Sequence, residues 1–461
     1  MKVFFKENKK DIGLIIIILL ISFLIGVLWL DTIPTNITGD EVTTLNDIYK
    51  IIFDRGNYLF SFMGDGSITG INFYWSAFLI KIFGLKRTIF SLRLSSTIIS
   101  VLSLIPFYLI LKEKTSRAFS FAFTLLLSGN YVFLNFSRTA WVNLAETMFS
   151  SLFLILFLEK ANKYGRSIYY ILAGIFAGIT LYSYTYGRIL VISIFLYLIL
   201  RFFKKAYWNF DYFKKISLFS ISTLIIFLPF FISVILNQAE AVLRRPKATY
   251  VFNPDKVAGL NVKKILWHQV EYTFRGFIIL DKTIMNEGIE NMRYVPPNSP
   301  PVNNLIKFSF IVGLIYVFIF ERKKLTLWWV VFVSILITQI LSDLPPNFAR
   351  GLFYIPFIYF ICGIFSYKIS DFLKKSFSQQ KSILFIFISF LIITASFSFF
   401  SDINYYFKWM KTDNIYSARQ PALDYNEFPQ WQSYQIKRVK AGLPPVTNYE
   451  WYRIRQAIIN H

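Results

Sequence analysis

Two adjacent carboxylates, Asp40 and Glu41, lie shortly after the first hydrophobic run of this chain, Ile12 to Leu30. A carboxylate next to an acceptor hydroxyl can take its proton as the oxygen attacks, which makes a general base. The same residues could instead begin a helix, with Asp40 as the N-cap and Glu41 in the first turn. Both interpretations can hold, since a cap also fixes the position of a carboxylate.

Three arginines, Arg138, Arg188 and Arg350, follow or precede other hydrophobic runs. A guanidinium presents a planar set of donors that suits phosphate oxygens. A cation also stabilises negative charge that grows on a bound group during a reaction. The alternative is that each arginine only anchors the end of a membrane span. Arg244-Arg245 is a second candidate for the phosphate role.

The composition places these residues in a membrane protein. The chain has 461 residues, of which 55% are hydrophobic and 20% aromatic, and long apolar runs recur along its length. Helices are the expected spanning unit, because lipid offers no partner for backbone groups. The net charge of +23 is spread over the connecting segments, which favours anionic lipid headgroups over nucleic acid as partners. With two histidines and one cysteine in the chain, we predict no metal site; a divalent ion has no support.

Hydropathy and the distribution of lysine and arginine predict an all-α, polytopic protein with about eleven transmembrane helices. The N-terminal lysines place the N-terminus in the cytoplasm, and the first run is a retained anchor in a cell-membrane protein. The third span is predicted from Ala118 to about Phe136, and the fourth begins near Trp141. All longer segments then fall on the outer face, where the functional surface is expected: residues 31–87, which include an interfacial helix at 71–83, residues 237–304, and the tail 401–461.

Several short motifs occur in a fixed order along these elements. They are Gly39-Asp40-Glu41, Phe73-Tyr74-Trp75, Phe83-Gly84, Arg93-Leu94, Phe136-Ser137-Arg138, Tyr182-Ser183-Tyr184 followed by Arg188, and Ala349-Arg350 followed by Tyr354-Ile355-Pro356. This order resembles the C-type glycosyltransferase (GT-C) superfamily, and most of all the bacterial and archaeal relatives of protein O-mannosyltransferases and lipid A aminoarabinose transferases. The resemblance covers residues 10 to 400.

The resemblance implies a GT-C-like domain over residues 1–400 that moves a sugar from a polyprenyl-phosphate carrier to an acceptor hydroxyl on the outer face, with inversion. It implies that Asp40 is the catalytic or acceptor-positioning carboxylate and that Glu41 supports it, while Arg138, Arg188 and Arg350 are candidates to bind the donor phosphate. The acceptor would be a protein, a glycolipid or a glycan. Further candidates for acceptor binding or support are Asp65, Arg93, Asn143, Glu146 and Tyr184. Family members commonly carry a second acidic residue where this chain has Asn143, with Glu146 one turn further on.

Two other classes of function are compatible with the same chain. A transporter or flippase would carry charged residues in the middle of its spans, broken helices in pairs and internal symmetry. The acidic residues here cluster in loops and at span ends, which counts against transport. A non-catalytic subunit of an envelope assembly complex is the third reading, and the Asp40-Glu41 pair counts against that one.

Overall fold

The computed structural model describes a helical protein whose longest elements are apolar. The structure describes residues 2–34, 36–53, 62–63, 68–69, 71–85, 88–141, 144–204, 207–237, 250–257, 261–282, 294–296, 299–342, 345–376, 381–411, 423–424, 434, 437 and 441. Within these ranges the strands are two residues long, so the all-α class is confirmed.

The helices follow one another in the order that the hydrophobic runs predict. They are α1 Lys2–Val27, α2 Gly39–Phe53, α3 Ile71–Ile82, α4 Ile89–Leu102, α5 Leu104–Lys114, α6 Arg117–Gly129, α7 Tyr131–Arg138, α8 Leu144–Tyr164, α9 Ser167–Leu181, α10 Thr185–Phe202, α11 Phe210–Asn237, α12 Pro254–Val257, α13 Val262–Phe274, α14 Asn304–Tyr316, α15 Thr326–Leu341, α16 Tyr354–Ser376 and α17 Lys381–Met410. π-helical turns continue α13 over Arg275–Ile279 and α14 over Val317–Glu321. The strands are β1 Asn36–Ile37, β2 Phe62–Met63, β3 Ile68–Thr69 and β4 Leu423–Asp424.

Six of the described helical segments are long and apolar enough to cross a membrane. They are Lys9–Val27, Ile89–Lys114, Thr185–Phe202, Phe210–Ser233, Asn304–Glu321 and Tyr354–Ser376. The protein is therefore a multi-pass membrane protein. The count of eleven spans stays a prediction.

The predicted third span, from Ala118 to Phe136, is not one straight helix. It consists of α6 and α7, which meet at an angle of 62°. Asn130 stands between them, and its side-chain oxygen accepts hydrogen bonds from the backbone N–H groups of Val132 and Phe133 at 3.0 Å. Its amide nitrogen donates to the carbonyl of Pro301 at 3.1 Å. The bend exists because Asn130 caps a new helix and is held by a distant loop, a contact that hydropathy does not report.

The segment after α1 folds into α2 and the predicted interfacial helix α3. The φ of Gly84 is +59°, which suits glycine just past a helix end. The N–H of Leu85 closes this end by donating to the carbonyl of Ile80 at 3.0 Å. β1, immediately before α2, pairs antiparallel with β4 of the C-terminal tail. The tail therefore contacts the outer segment that holds Asp40.

Close helix packing in the membrane part depends on small residues. A Cβ added at Gly174 in α9 would lie 2.0 Å from Ser222 Oγ and 2.4 Å from the Phe219 carbonyl oxygen in α11. Gly178, one turn later, would meet Ile226 at 2.6 Å. The two glycines thus let the backbones of α9 and α11 approach closely, as is common between membrane helices.

Candidate active site

The start of α2 is built by a reciprocal pair of hydrogen bonds between Thr38 and Glu41. The Glu41 N–H donates to Thr38 Oγ1 at 3.2 Å, and the Thr38 N–H donates to Glu41 Oε2 at 2.9 Å. This arrangement is a capping box, and it satisfies backbone donors that a helix start leaves open. The expectation that Asp40 is the N-cap was wrong, because Thr38 holds that position and Asp40 lies in the first turn.

Glu41 is locked in place by a buried ion pair. Arg93 Nε lies 2.7 Å from Glu41 Oε1, and both side chains are 0% exposed. Arg93 also donates to the carbonyl of Pro34 at 2.8 Å. Sequence analysis named Arg93 only as a supporting residue; the structure shows that it joins α4 to the start of α2 through Glu41. Asp40, by contrast, is partly exposed beside this rigid pair.

An aromatic wall lies against the α2 start. Trp141 Nε1 donates to Thr38 Oγ1 at 3.1 Å. Its ring contacts those of Phe136 and Tyr294, each with centroids 5.1 Å away. Tyr294 belongs to the segment 237–304, so this residue links that segment to the start of α2 through Trp141. All three rings are buried, so they pack the start of α2 against the segment that follows α7.

Arg138 is fully buried and bonded to backbone. Its Nη1 donates to the carbonyls of Ile25 and Gly26, and its Nη2 to those of Leu28 and Ile33, at 2.8 to 2.9 Å. The last carbonyls of a helix have no partner within the helix, and a cation there also complements the helix dipole. Both terminal nitrogens of Arg138 therefore bind the end of α1 and the turn after it. The phosphate contact stays a prediction, and these bonds count against it because they already occupy both nitrogens.

Of the other predicted site residues, Tyr184 contacts the beginning of α8. The Tyr184 N–H donates to Thr147 Oγ1 at 3.1 Å, and Thr147 directly follows Glu146. A small cleft of about 10 Å³ opens here, lined by Thr147, Met148, Tyr184, Tyr186, Ala349, Leu352 and Phe353. Arg188 lies one turn after Tyr184 in α10, where its Nε donates to the Leu181 carbonyl at 3.3 Å. Tyr184 lines this cleft, whereas Glu146, Arg188 and Arg350 lie within two residues in sequence of residues that line it.

Some predicted residues lie outside the described residues. These are Asp65, Asn143, and the Arg244-Arg245 pair. Within the described ranges, three or more potential metal-ligating side chains do not gather at any point.

Sequence analysis missed one carboxyl group, that of Asp402 in α17. It is 3% exposed and accepts a hydrogen bond from Asn303 Nδ2 at 3.0 Å. Burial raises the pKa of the Asp402 carboxyl to about 7 from 3.8, and the bond from Asn303 offsets part of that rise. A lone acidic residue in the last apolar run was the available signal. The pattern Thr38-x-x-Glu41 was likewise readable as a capping box.

Comparisons with known proteins agree with this architecture. Residues 71–233 match the family model for dolichyl-phosphate-mannose-protein mannosyltransferases. No curated protein sequence matches the chain. Among solved structures, the archaeal oligosaccharyltransferase AglB from Archaeoglobus fulgidus, in complex with an inhibitory peptide and a dolichol-phosphate, has a TM-score of 0.53 at 12% identity, over 93% of this chain and 60% of that one.

Two further solved structures are similar. The apo form of the same oligosaccharyltransferase has a TM-score of 0.51 at 12% identity, over 92% of this chain and 59% of that one. ArnT from Cupriavidus metallidurans, bound to undecaprenyl phosphate, has a TM-score of 0.47 at 11% identity, over 77% of this chain and 60% of that one. The chain thus spans about 60% of the length of the structures it matches.

The fold is that of the membrane-embedded C-type glycosyltransferases, and the predicted resemblance to that superfamily is confirmed.

Proposed function

We propose that this protein is a membrane glycosyltransferase that moves a sugar from a polyprenyl-phosphate carrier to an acceptor hydroxyl. The observation that carries the proposal is the α2 start, where Asp40 is partly exposed beside a Glu41 that a buried arginine holds rigidly. A catalytic carboxylate needs a fixed position and access to substrate, and this arrangement offers both. The matched family description and the dolichol-phosphate in the AglB complex support a lipid-linked donor.

The reaction would be a single displacement with inversion. The acceptor oxygen attacks the anomeric carbon as the bond between that carbon and the phosphate oxygen breaks. Asp40 receives the hydroxyl proton, and the polyprenyl phosphate leaves with the bonding electron pair. Glu41 does not touch substrate in this scheme; it positions Asp40 through the capping box.

Arg188 and Arg350 are proposed to bind the leaving phosphate at the α8 cleft. Tyr184 would support the donor sugar there, and Glu146 would take the place of the second acidic residue. The donor side is then the α8 cleft and the acceptor side the α2 start. With the N-terminus in the cytoplasm, both would face the outside, as would the C-terminus.

Asp40→Asn tests the catalytic role. A strain that lacks the gene is complemented with the wild type, Asp40→Asn or Asp31→Asn, and its envelope glycans are measured by mass spectrometry. Asp31 is exposed in the same outer segment and is the matched control. We expect Asp40→Asn to remove at least 99% of the transfer, because losing a general base typically costs about 100-fold to 10,000-fold. Asp31→Asn should leave the glycans unchanged.

The amount of each variant in the membrane separates catalysis from folding. Asp40→Asn should insert into the membrane in the normal amount. Glu41→Gln should lower the amount of folded protein, because it leaves Arg93 buried without its counter-charge. Full glycan transfer by Asp40→Asn would contradict the proposed role of Asp40.

The phosphate role is tested by direct binding of a polyprenyl phosphate without a sugar. Arg188→Gln and Arg350→Gln should each weaken its affinity about tenfold, since a hydrogen bond to a charged group contributes about 1.5 to 3 kcal/mol. Arg322→Gln is the control, because Arg322 is exposed between α14 and α15, away from the cleft. Equal affinities for all three variants would remove both arginines from the site.

A further inference from the structure

The opposite ends of the helices that form the α8 cleft enclose a second, strongly basic cavity. α8 and α10 both begin at the cleft, and their C-terminal ends line this cavity together with the end of α5 and the start of α15. From Thr147 to Asn162, α8 rises about 22 Å. The cavity has a volume of about 400 Å³ and is separate from the candidate active site.

The charges in the cavity do not balance. Its two acidic residues, Glu113 and Glu159, are already paired with Lys163 and with Lys114, the latter at 2.7 Å. The lining includes six basic residues in all: Lys114, Lys163, Arg201, Lys204, Lys323 and Lys324. An excess of positive charge in an enclosed space attracts an anion, because the protein walls screen charge less than water does.

Arg201 is held in a fixed orientation at the centre of this lining. Its Nη2 donates to the hydroxyl of Tyr207 at 2.6 Å, and its Nη1 donates to the side-chain oxygen of Asn162 and to the hydroxyl of Tyr197. Its guanidinium carbon also stands 4.1 Å from the centroid of the Tyr207 ring. Lys204 and Lys323 are exposed at the cavity and have no ion pair with any residue that the structure describes. They are therefore available to a bound anion.

Exposed aromatic residues mark the level of this cavity in the membrane. Phe203, Trp208 and Phe210, which follow Arg201 between α10 and α11, are 60%, 66% and 79% exposed. Tryptophan and tyrosine prefer the boundary between hydrocarbon and headgroups, and Trp208 follows Tyr207 directly in this segment. The mouth of the cavity therefore lies where lipid phosphates are concentrated.

We propose that this cavity binds the phosphate group of an anionic phospholipid, at the membrane face opposite the active site. Lys204 and Lys323 would contact the phosphate, and Arg201 would orient it. The acyl chains would lie against the apolar surface next to Phe203 and Trp208. The proposal is independent of the glycosyltransferase function, because it concerns lipid binding at the other end of the helices.

The test is a titration of the purified full-length protein in neutral detergent, followed by native mass spectrometry. Phosphatidylglycerol is the anionic probe and phosphatidylcholine the zwitterionic one. We expect Lys204→Gln/Lys323→Gln to lower the affinity for phosphatidylglycerol about tenfold or more, with little change for phosphatidylcholine. Lys204→Glu/Lys323→Glu should lower it further, since it reverses both charges.

Lys9→Gln/Lys10→Gln is the matched control. Both lysines are exposed near the N-terminus of α1, outside the cavity, and the variant loses the same charge. It should change the affinity less than about twofold. Lys204→Arg/Lys323→Arg, which keeps the charge, should retain binding.

Two results would overturn the proposal. An equal loss of affinity for phosphatidylglycerol in Lys204→Gln/Lys323→Gln and in Lys9→Gln/Lys10→Gln would show a general effect of surface charge. Displacement of the lipid by an equal concentration of inorganic pyrophosphate would assign the cavity to a soluble phosphate compound instead of a membrane lipid.

Discussion

Asp40 and Glu41 are neighbours in the chain but have different environments. Glu41 is fully buried against Arg93 and closes the capping box with Thr38, whereas Asp40 is partly exposed. Adjacent residues at a helix start point about 100° apart, so one can face the protein and the next a substrate. This division of roles is the physical basis for assigning proton transfer to Asp40 and positioning to Glu41.

Asp402 should make the stability of the protein depend on pH. Its pKa is about 7 in the folded protein, against 3.8 as the ordinary value, so the folded state binds more protons between these values. The stabilisation from the protonated group is complete below pH 4 and is lost as the pH rises to about 7. The free energy of unfolding should fall by up to about 1.4 kcal/mol per pH unit across this window.

Asp402→Asn should remove that dependence, because an amide keeps the acceptor for Asn303 without a titrating proton. Thermal unfolding in detergent from pH 4.5 to 8 measures this pH dependence. The stability of Asp402→Asn relative to the wild type should be greatest at pH 8. Asp371→Asn is the control, since Asp371 is exposed beside Lys375. An unchanged pH profile in Asp402→Asn would contradict the raised pKa.

At the scale of elements, helix starts hold the site together. α2 begins at a capping box, α7 at the Asn130 cap, and α8 at the segment that joins Trp141 to Thr147. Thr38 has two roles, because its hydroxyl accepts hydrogen bonds from the Glu41 N–H and from Trp141. A defect at this one side chain should disturb α2 and the aromatic wall together.

Thr38→Ala tests the role of this helix start. We expect it to cost about 1 kcal/mol of stability, the usual loss for an N-cap, and to lower kcat more than the affinity for donor. Thr38→Ser keeps the hydroxyl and should restore both quantities. The control is Thr326→Ala, since Thr326 is exposed in the first turn of α15 at the other end of the protein. Normal kcat in Thr38→Ala would separate the capping box from catalysis.

At the scale of the whole molecule, distant parts of the chain converge on the first outer segment. β4 of the tail pairs with β1, and Tyr294 of the long outer segment stacks on Phe136 with centroids 5.5 Å apart. Arg138 also lies under the ring of Phe407 in α17 at 4.9 Å. The predicted boundary at residue 400 stays a prediction, although these contacts join residues beyond 400 to the segment before α2 and to α7.

Removal of residues 412–461 should therefore loosen the α2 segment. Without β4, the backbone of Asn36 and Ile37 loses its strand partner, and amide hydrogens of residues 36–53 should exchange faster with solvent. Exchange in α16, in the buried helical core, is the internal control and should not change. Equal exchange in α2 with and without the tail would show that the pairing does not stabilise the site.

The sequence by itself determined the membrane class, the order of the helices and the carboxylate at residue 40. Long apolar runs must form helices in lipid, because backbone groups have no other partners there. The order of short motifs along the chain is a property of the sequence alone. It also indicated that Arg93 has a structural role.

Only the tertiary structure decided which partners the buried polar residues have. In the structure, Arg93 pairs with Glu41, and Arg138 binds carbonyls at the end of α1. The third span bends at Asn130, and Asp402 is buried. Each of these depends on a partner far away in the chain, and hydropathy and motif spacing report only on neighbours. The physical reason is that a buried charge is stable only when it is paired or hydrogen-bonded, and its partner is often distant in the sequence.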